Sequence, residues 1–256
     1  MGPAVITLTT DFGTKDTFVA ELKGVILSIN PSALIVDITH EIEPFNILEA
    51  AIKLSSASKY FPSGSIHMAV VDPGVGSLRR PIVIHTERGF YVGPDNGILS
   101  LAVRDQVIDG VYEIRTSEFK IAGPTFHGRD IFAPVSARLS AGVAPEALGR
   151  PINDFVRLSL PEPEFMDKGI KGKVIIIDRF GNAITNVRGE ALGTKSFRVI
   201  VSGREIPLFN YYKEAEGLTA GALINSSGYL EIFQYRGSAA ESLNIKIQDP
   251  VEVLIE

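Results

Sequence analysis

Short apolar runs alternate with helix-period segments along the first half of the chain. Runs rich in β-branched residues predict strands at 4–9, 33–38, 65–71, 81–85 and 90–92. Apolar residues at every third or fourth position predict helices at 15–29, 46–59, 97–104 and 129–141. This alternation is typical of a mainly parallel sheet covered by helices.

The apolar positions of the first two helices predict the faces that pack on the sheet. In the helix at 15–29, these positions are Phe18, Leu22, Val25, Ile26 and Ile29. In the helix at 46–59, they are Ile47, Ala50, Ala51 and Leu54.

The pattern changes after residue 150. The segment 150–170 carries three prolines and clustered charge, which is typical of a linker. Beyond it the helical period disappears, and short β-rich runs predict strands at 173–178, 196–202, 222–225, 229–235, 243–247 and 251–255. We therefore predict an α/β fold with an N-terminal domain at 1–155, a linker at 156–170 and a small, barrel-like all-β C-terminal domain at 171–256.

The amino-acid composition excludes several kinds of active site and binding partner. The chain has 256 residues and no cysteine, which excludes disulfides, thiolate zinc sites, iron–sulfur clusters and a cysteine nucleophile. Its four histidines lie in four separate stretches, so we expect no histidine-rich metal site. Lys and Arg number 25 against 30 Asp and Glu, and the net charge of −5 lacks the basic character of a nucleic-acid-binding domain.

The hydropathy pattern predicts neither a membrane span nor a signal peptide. No apolar run approaches the roughly 18 residues of a span, and the first three residues carry no cationic region before an apolar stretch. We therefore expect a cytoplasmic protein without a membrane partner.

The loops after the predicted strands are the candidate sites, because open α/β sheets bind ligands outside the carboxyl ends of their strands. Asp11 follows the first strand, where a carboxylate can accept two hydrogen bonds from a ribose diol. On spacing alone, a helix N-cap is the favoured interpretation of Asp11.

Asp72 follows the third strand in a loop that Pro73, Gly74 and Gly76 make tight. Arg79 can return to Asp72 as a charge partner. A ligand-binding loop and a turn with a surface ion pair are equally good interpretations of this segment.

Among the four histidines, His127 is the candidate for a catalytic role. It lies in a glycine-flanked loop that leads into a predicted helix, whereas His67 falls within a strand, His85 ends one and His40 lies in a charged turn. A lone histidine is more often structural than catalytic, but His127 is the one to single out.

Six motifs, taken together in order and spacing, resemble one family. They are TLTTDFG, VDPGVGSLRR, VGPDNG, TFHGRDIFAP, IDRFGNAITN and NSSGYLEI. The resemblance runs over nearly the whole chain and is to the S-adenosylmethionine hydrolases (adenosine-forming), also called SAM hydroxide adenosyltransferases. These enzymes are relatives of the fluorinase and the chlorinase.

The resemblance implies a fold, an assembly and a reaction. The fold is an α/β N-terminal domain with a β-barrel-like C-terminal domain, and the assembly is a homotrimer with each active site between the N-domain of one subunit and the C-domain of the next. The reaction converts S-adenosyl-L-methionine and water to adenosine and L-methionine. We expect it to need no metal and no organic cofactor.

The resemblance also implies site residues. The catalytic set falls on Asp72, Arg79 and His127, and the ribose-diol carboxylate falls on Asp11, beside Phe12. Methionine contacts fall on Asp178, Phe180 and Asn182, and further adenine and amino-acid contacts fall on Ser226, Glu231 and Ala239.

Two other functions stay open. Halogenase relatives carry a tyrosine where this chain has His127, and the residue after it helps to form their halide pocket. The pair His127-Gly128, with Asp72 and Arg79, favours water as the nucleophile over a halide. A non-catalytic adenosine- or S-adenosylmethionine-binding module is the other alternative, and the intact catalytic set argues against it.

Overall fold

The computed structural model describes residues 4–193 and 197–255. The chain forms two compact units that divide between Leu158 and Ser159, inside the predicted linker. Within that linker, Glu164–Met166 form a short strand. Ser196 and the two predicted outer bounds, residues 1 and 256, lie outside the described residues.

The first unit is built on a seven-stranded sheet in the order β2-β1-β3-β5-β4-β6-β7. Its strands are β1 (Val5–Thr10), β2 (Leu34–Thr39), β3 (Ser65–Val70), β4 (Pro81–Thr86), β5 (Gly89–Pro94), β6 (Ile108–Ile114) and β7 (Gly149–Ile152). β2, β1, β3 and β5 are parallel, whereas β4, β6 and β7 pair antiparallel. The sheet is therefore mixed, and the α/β fold class is confirmed.

Helices cover both faces of this sheet. They are α1 (Phe18–Ile29), α2 (Ile47–Ser58), α3 (Ala133–Ser140) and the single turn α4 (Pro145–Leu148), with a π-helical turn at Gly128–Phe132 and a 3₁₀ turn at Thr116–Glu118. On one face Leu22 and Ile26 of α1 pack with Ile6 of β1, and all three are fully buried. Burying a side chain of this size contributes roughly 1.5–3 kcal/mol. Ala50 and Leu54 of α2 join the core on the other face.

The second unit is an eight-stranded, barrel-like antiparallel sheet in the order β12-β11-β15-β9-β10-β14-β13, with β8 beside β9. Its strands are β8 (Glu164–Met166), β9 (Gly169–Ile177), β10 (Ala183–Arg188), β11 (Phe197–Val201), β12 (Arg204–Ile206), β13 (Gly221–Ile224), β14 (Tyr229–Phe233) and β15 (Pro250–Ile255). Short helices α5 (Gly189–Leu192) and α6 (Ala239–Leu243) connect them, with a 3₁₀ turn at Tyr212–Ala215. Its own core includes Val174, Val187, Leu230 and Val253.

The predicted helix at 97–104 is wrong, because this segment is a series of turns. Two of its carbonyl groups accept from side chains: Ser55 Oγ donates to Leu101 O at 3.1 Å, and Gln106 Nε2 donates to Ala102 O at 2.7 Å. Two others accept from amides only three residues ahead, as in turns: Ser100 N donates to Gly97 O at 3.0 Å, and Gln106 N donates to Val103 O at 3.3 Å. All residues at 98–103 are buried, and all but Ser100 are apolar, a pattern that a buried turn produces as readily as a helix does.

Two further predictions are corrected. The predicted strand at 243–247 is the end of α6 and a turn, because Ser238 caps that helix and Asn244 ends it in the left-handed conformation. Phe18 and Ile29 do not lie on the buried face of α1, since their exposed fractions are 43% and 39%.

Across the ranges 4–193 and 197–255, no helix is both long and apolar enough to cross a membrane.

Candidate active site

A cleft of about 720 Å³ opens at the carboxyl ends of β1 and β3. β2 and β3 flank β1 on opposite sides, so the strand order reverses at β1, which is the position where α/β sheets bind ligands. The lining includes polar and aromatic side chains from four loops, among them Asp11, Phe12, Phe45, Asp72, Phe126 and His127.

Arg79 joins Asp72 to His127 beside this cleft. Its Nε donates to both Asp72 oxygens, at 3.1 and 3.0 Å, and one Nη nitrogen also donates to Asp72 Oδ2. The same Nη nitrogen lies 2.7 Å from His127 Nδ1. The Asp72 and Arg79 side chains are only 6% and 10% exposed, so this is a buried cluster and the alternative of a surface ion pair is wrong.

The loop that returns Arg79 to Asp72 depends on Gly76. Val75 N donates to Asp72 O at 3.2 Å, which makes a tight turn. Gly76 has a φ of +78°, and a Cβ there would lie 2.7 Å from Pro124 O. The loop therefore packs directly against the segment that leads to His127.

His127 is held as a neutral imidazole with a defined tautomer. A guanidinium can only donate, so His127 Nδ1 must accept and Nε2 carries the hydrogen. Burial, and then the Arg79 guanidinium, lower the pKa of His127 below its ordinary value. At neutral pH, the side chain can therefore offer an Nε2–H to an oxygen atom in the cleft.

Asp11 is held across the cleft by a second loop. Its Oδ2 accepts a hydrogen bond of 3.0 Å from Phe45 N. α1 begins only at Phe18 with Thr17 as its N-cap, so the alternative of a helix N-cap at Asp11 is wrong. The carboxylate lines the cleft, as a ribose-binding group must.

Three aromatic rings form one wall of the cleft. Phe12, Phe18 and Phe126 pack edge to face, with centroids 5.3 to 5.8 Å apart. Phe18, Phe45 and Phe126 were not predicted as lining residues. Apolar periodicity assigned Phe18 to the core, and no pattern in the sequence distinguishes a phenylalanine in a cleft from one in a core.

A second cleft, of about 640 Å³, lies in the second unit and contains three of the predicted residues. Asp178 Oδ1 accepts from the backbone N–H groups of Phe180 and Asn182, at 2.8 and 2.9 Å. Its Oδ2 accepts from Asn182 Nδ2 at 3.0 Å. Phe180 is 74% exposed at the tip of this turn. Five residues that were not predicted also line this cleft, namely Tyr212, Gln234, Tyr235, Arg236 and Gly237.

Ser226, Glu231 and Ala239 are not among the described residues that line the second cleft. Glu231 is buried behind it, accepting hydrogen bonds from Tyr212 Oη at 2.9 Å and from Asn225 Nδ2 at 3.0 Å. Burial raises the pKa of Glu231, and burial with the Glu231 hydrogen bond raises the pKa of Tyr212 to about 12. Ser226 is exposed in a turn, and Ala239 is fully buried at the start of α6.

The mixed sheet, its buried Asp–Arg–His cluster and the barrel-like second unit define a two-domain α/β-plus-barrel protein. Models of the SAM hydroxide adenosyltransferase N-terminal and C-terminal domains match residues 6–149 and 172–252. The chain therefore belongs to the SAM hydroxide adenosyltransferase family, and the family prediction is confirmed.

Individual relatives agree with this assignment. A protein from Methanocaldococcus jannaschii named (R)-S-adenosyl-L-methionine hydrolase is 38% identical over 266 residues, covering 98% of this chain and 95% of its own. An uncharacterized conserved protein from Thermotoga maritima has a crystal structure with a TM-score of 0.89 and 36% identity, covering 97% of this chain and 99% of that one. A fluorinase from Nocardia brasiliensis is 29% identical and covers 98% of this chain and 97% of its own.

Proposed function

We propose that this protein hydrolyses S-adenosyl-L-methionine to adenosine and L-methionine. The observation that carries the proposal is the buried cluster in which Arg79 joins Asp72 to a neutral His127, beside a cleft that also contains Asp11. Relatives whose names specify the hydrolysis of the R epimer support it.

The reaction is an in-line displacement at C5′. The sulfonium is a good leaving group, but bulk water has a pKa of about 15.7, so hydroxide is scarce at neutral pH. The site must hold a water about 3–3.5 Å from C5′ and assist its deprotonation. The new C5′–O bond forms as the C5′–S bond breaks, and the sulfur leaves with that electron pair as the neutral thioether of methionine.

His127 and Asp72 take different parts in this step. Because His127 Nδ1 accepts from Arg79, its Nε2–H donates to the water oxygen and stabilises hydroxide character. Asp72 Oδ1 carries one contact from Arg79 whereas Oδ2 carries two, so Oδ1 keeps a lone pair that can take the water proton. A water-poor cleft favours the transition state, since hydroxide and sulfonium neutralise each other as they react.

In the proposal, two groups of residues bind the two ends of the substrate. Asp11 accepts hydrogen bonds from the ribose diol, with Phe12 beside it, and Asp178, Phe180 and Asn182 hold the methionine moiety. We propose that these halves belong to different subunits of a homotrimer, with each site between the N-domain of one subunit and the C-domain of the next. The reaction needs neither metal nor organic cofactor, and the cytoplasmic location stays a prediction.

The test is incubation of the purified protein with each sulfonium epimer of S-adenosylmethionine, with and without chloride and a chelator. We expect adenosine and methionine from the R epimer, at a rate that neither addition changes. 5′-Chloro-5′-deoxyadenosine would instead identify a halide-using adenosyltransferase. Tight binding of the substrate without any product would identify a binding module.

A further inference from the structure

A buried histidine outside the reacting cluster lies directly behind the Asp11 loop. His40 is 4% exposed, and its Nδ1 is 2.8 Å from the Oγ1 of Thr10, which is fully buried. Its Nε2 lies 3.1 Å from Asp37 Oδ1, within ion-pairing distance but outside hydrogen-bond geometry. Lys23 Nζ is 2.6 Å from the other oxygen of Asp37.

The chain of contacts fixes the hydrogens along it. Asp37 faces Nε2 of His40, which places the imidazole hydrogen on that nitrogen and leaves Nδ1 as the acceptor. The hydroxyl of Thr10 then donates to Nδ1. Its own lone pair accepts from Phe12 N at 3.3 Å.

His40 also joins the two loops that hold Asp11. Its carbonyl oxygen accepts from Gly13 N at 2.8 Å, which closes the loop after β1 onto the loop after β2. The second loop then returns Phe45 N to Asp11 Oδ2 at 3.0 Å. Phe45 N therefore holds the Asp11 carboxylate, and contacts from Thr10 and His40 hold the backbone that follows Asp11.

We infer that His40 and Thr10 are positioning residues that act through Asp11 to set the affinity of the site for a ribose diol. This inference rests on the proposed function, in which Asp11 binds that diol. Neither residue touches the substrate. Each contributes by holding the backbone from 10 to 13 in the one conformation that aims the carboxylate into the cleft.

The chain contains a matched pair that separates positioning from general stability. Thr7 Oγ1 lies 2.8 Å from His67 Nδ1, the same bond between the same atoms as Thr10 to His40. Both residues of this pair are also buried. Thr7 lies in the middle of β1, however, away from the loop at its carboxyl end. Thr7→Val removes an equivalent buried hydrogen bond without reaching Asp11.

Calorimetric binding of adenosine and 2′,3′-dideoxyadenosine tests the inference. Thr10→Val should weaken adenosine binding about tenfold, the value of one well-placed hydrogen bond. The same variant should leave 2′,3′-dideoxyadenosine binding unchanged, since that nucleoside lacks both hydroxyl groups of the diol. Thr10→Ser should restore adenosine binding. Thr7→Val should lower the melting temperature as much as Thr10→Val does, with both affinities at the wild-type value.

Steady-state kinetics add a second readout. Thr10→Val should raise KM for S-adenosylmethionine by a similar factor and change kcat little. Equal effects of Thr10→Val on both nucleosides, or no effect on either, overturn the inference. If Thr10→Val does not fold, His40→Gln is compared with Thr10→Ser in the same assays. Failure of the wild-type protein to bind adenosine overturns the proposed function instead.

Discussion

At the scale of single residues, the side chain that organises the site is Arg79. A guanidinium presents several donors in a fixed plane, so it can bond to a carboxylate and an imidazole at once. This double contact is what makes His127 an acceptor at Nδ1 and a donor at Nε2. Stacking over the Phe132 ring, with 5.4 Å from Arg79 Cζ to the centroid, holds the guanidinium in place.

Asp72→Ala and His127→Ala should each lower the rate of hydrolysis by roughly 10²-fold or more, the usual contribution of a group that moves or stabilises a proton. The measurement is kcat from adenosine release. Adenosine affinity serves as the control and should stay near the wild-type value, because Asp11 is untouched. Wild-type turnover by both variants would refute the catalytic assignment.

The sequence predicted Asp72, Arg79 and His127 as catalytic candidates because they lie in distinctive motifs, after a strand end or before a helix, and because these motifs resemble one family. Asp72 and Arg79 share a loop rich in glycine and proline, and His127 lies between Phe126 and Gly128. The pairing of Arg79 with Asp72 was predicted, but the contact between Arg79 and His127 was not predictable, since these two residues meet only through the fold. His40 was dismissed as part of a charged turn because its burial is a tertiary property.

At the scale of elements, glycine determines whether the Asp72 loop can pack beside His127. Gly76→Ala should lower the free energy of unfolding by about 2 kcal/mol, because the positive φ is strained and Cβ would collide with Pro124 O. The same collision should part Arg79 from His127 and lower kcat at least about tenfold. Urea unfolding and adenosine release measure the two effects.

Gly142→Ala is the matched control for Gly76→Ala. Gly142 has a φ of +88°, and apart from Gly142 and its chain neighbours no described residue has an atom within 4 Å of the point that an added Cβ would occupy. This substitution should therefore cost only the backbone strain, about 1 kcal/mol, with kcat unchanged. Equal losses of activity in the two variants would contradict the role given to the Gly76 contact.

The pattern of apolar residues predicted most elements where one face is buried, as in α1 and α2. It was wrong at 97–104 and 243–247, where side-chain hydrogen bonds and short backbone turns together determine the local conformation. It also predicted a mainly parallel sheet, whereas β4, β6 and β7 pair antiparallel. Strand direction depends on the path of the connections, which hydrophobic period does not encode.

At the scale of the whole molecule, a buried histidine ties stability to pH. Burial, and then the charge of Arg88, lower the pKa of His67 to about 4. In the unfolded chain His67 therefore binds a proton at about pH 6.5, whereas in the folded chain it binds one only at about pH 4. His67 therefore does not lower the free energy of unfolding above about pH 6.5. As the pH drops to about 4, this free energy should fall by about 3 kcal/mol. Urea unfolding of the wild type and of His67→Gln at several pH values measures this loss of stability. Parallel profiles of stability against pH for the two proteins would contradict the prediction.

The proposed trimer makes a prediction about mixed assemblies. Asp72→Ala and Asp178→Ala should each be inactive alone, because one removes an N-domain group and the other a C-domain group. Co-expressed at equal levels, they should recover about a quarter of wild-type activity. Random assembly should bring an intact N-domain group and an intact C-domain group together in about a quarter of the sites. No recovery in assemblies that contain both chains would place each site within one chain.

Isotope transfer from water tests the central claim most directly. The proposed reaction forms a bond between a water oxygen and C5′, so hydrolysis of S-adenosylmethionine in H₂¹⁸O should give adenosine with ¹⁸O at its 5′-hydroxyl, detected by mass spectrometry. Methionine should be released unlabelled. Adenosine without the label, or a halogenated nucleoside when chloride is present, would contradict attack by water at that carbon.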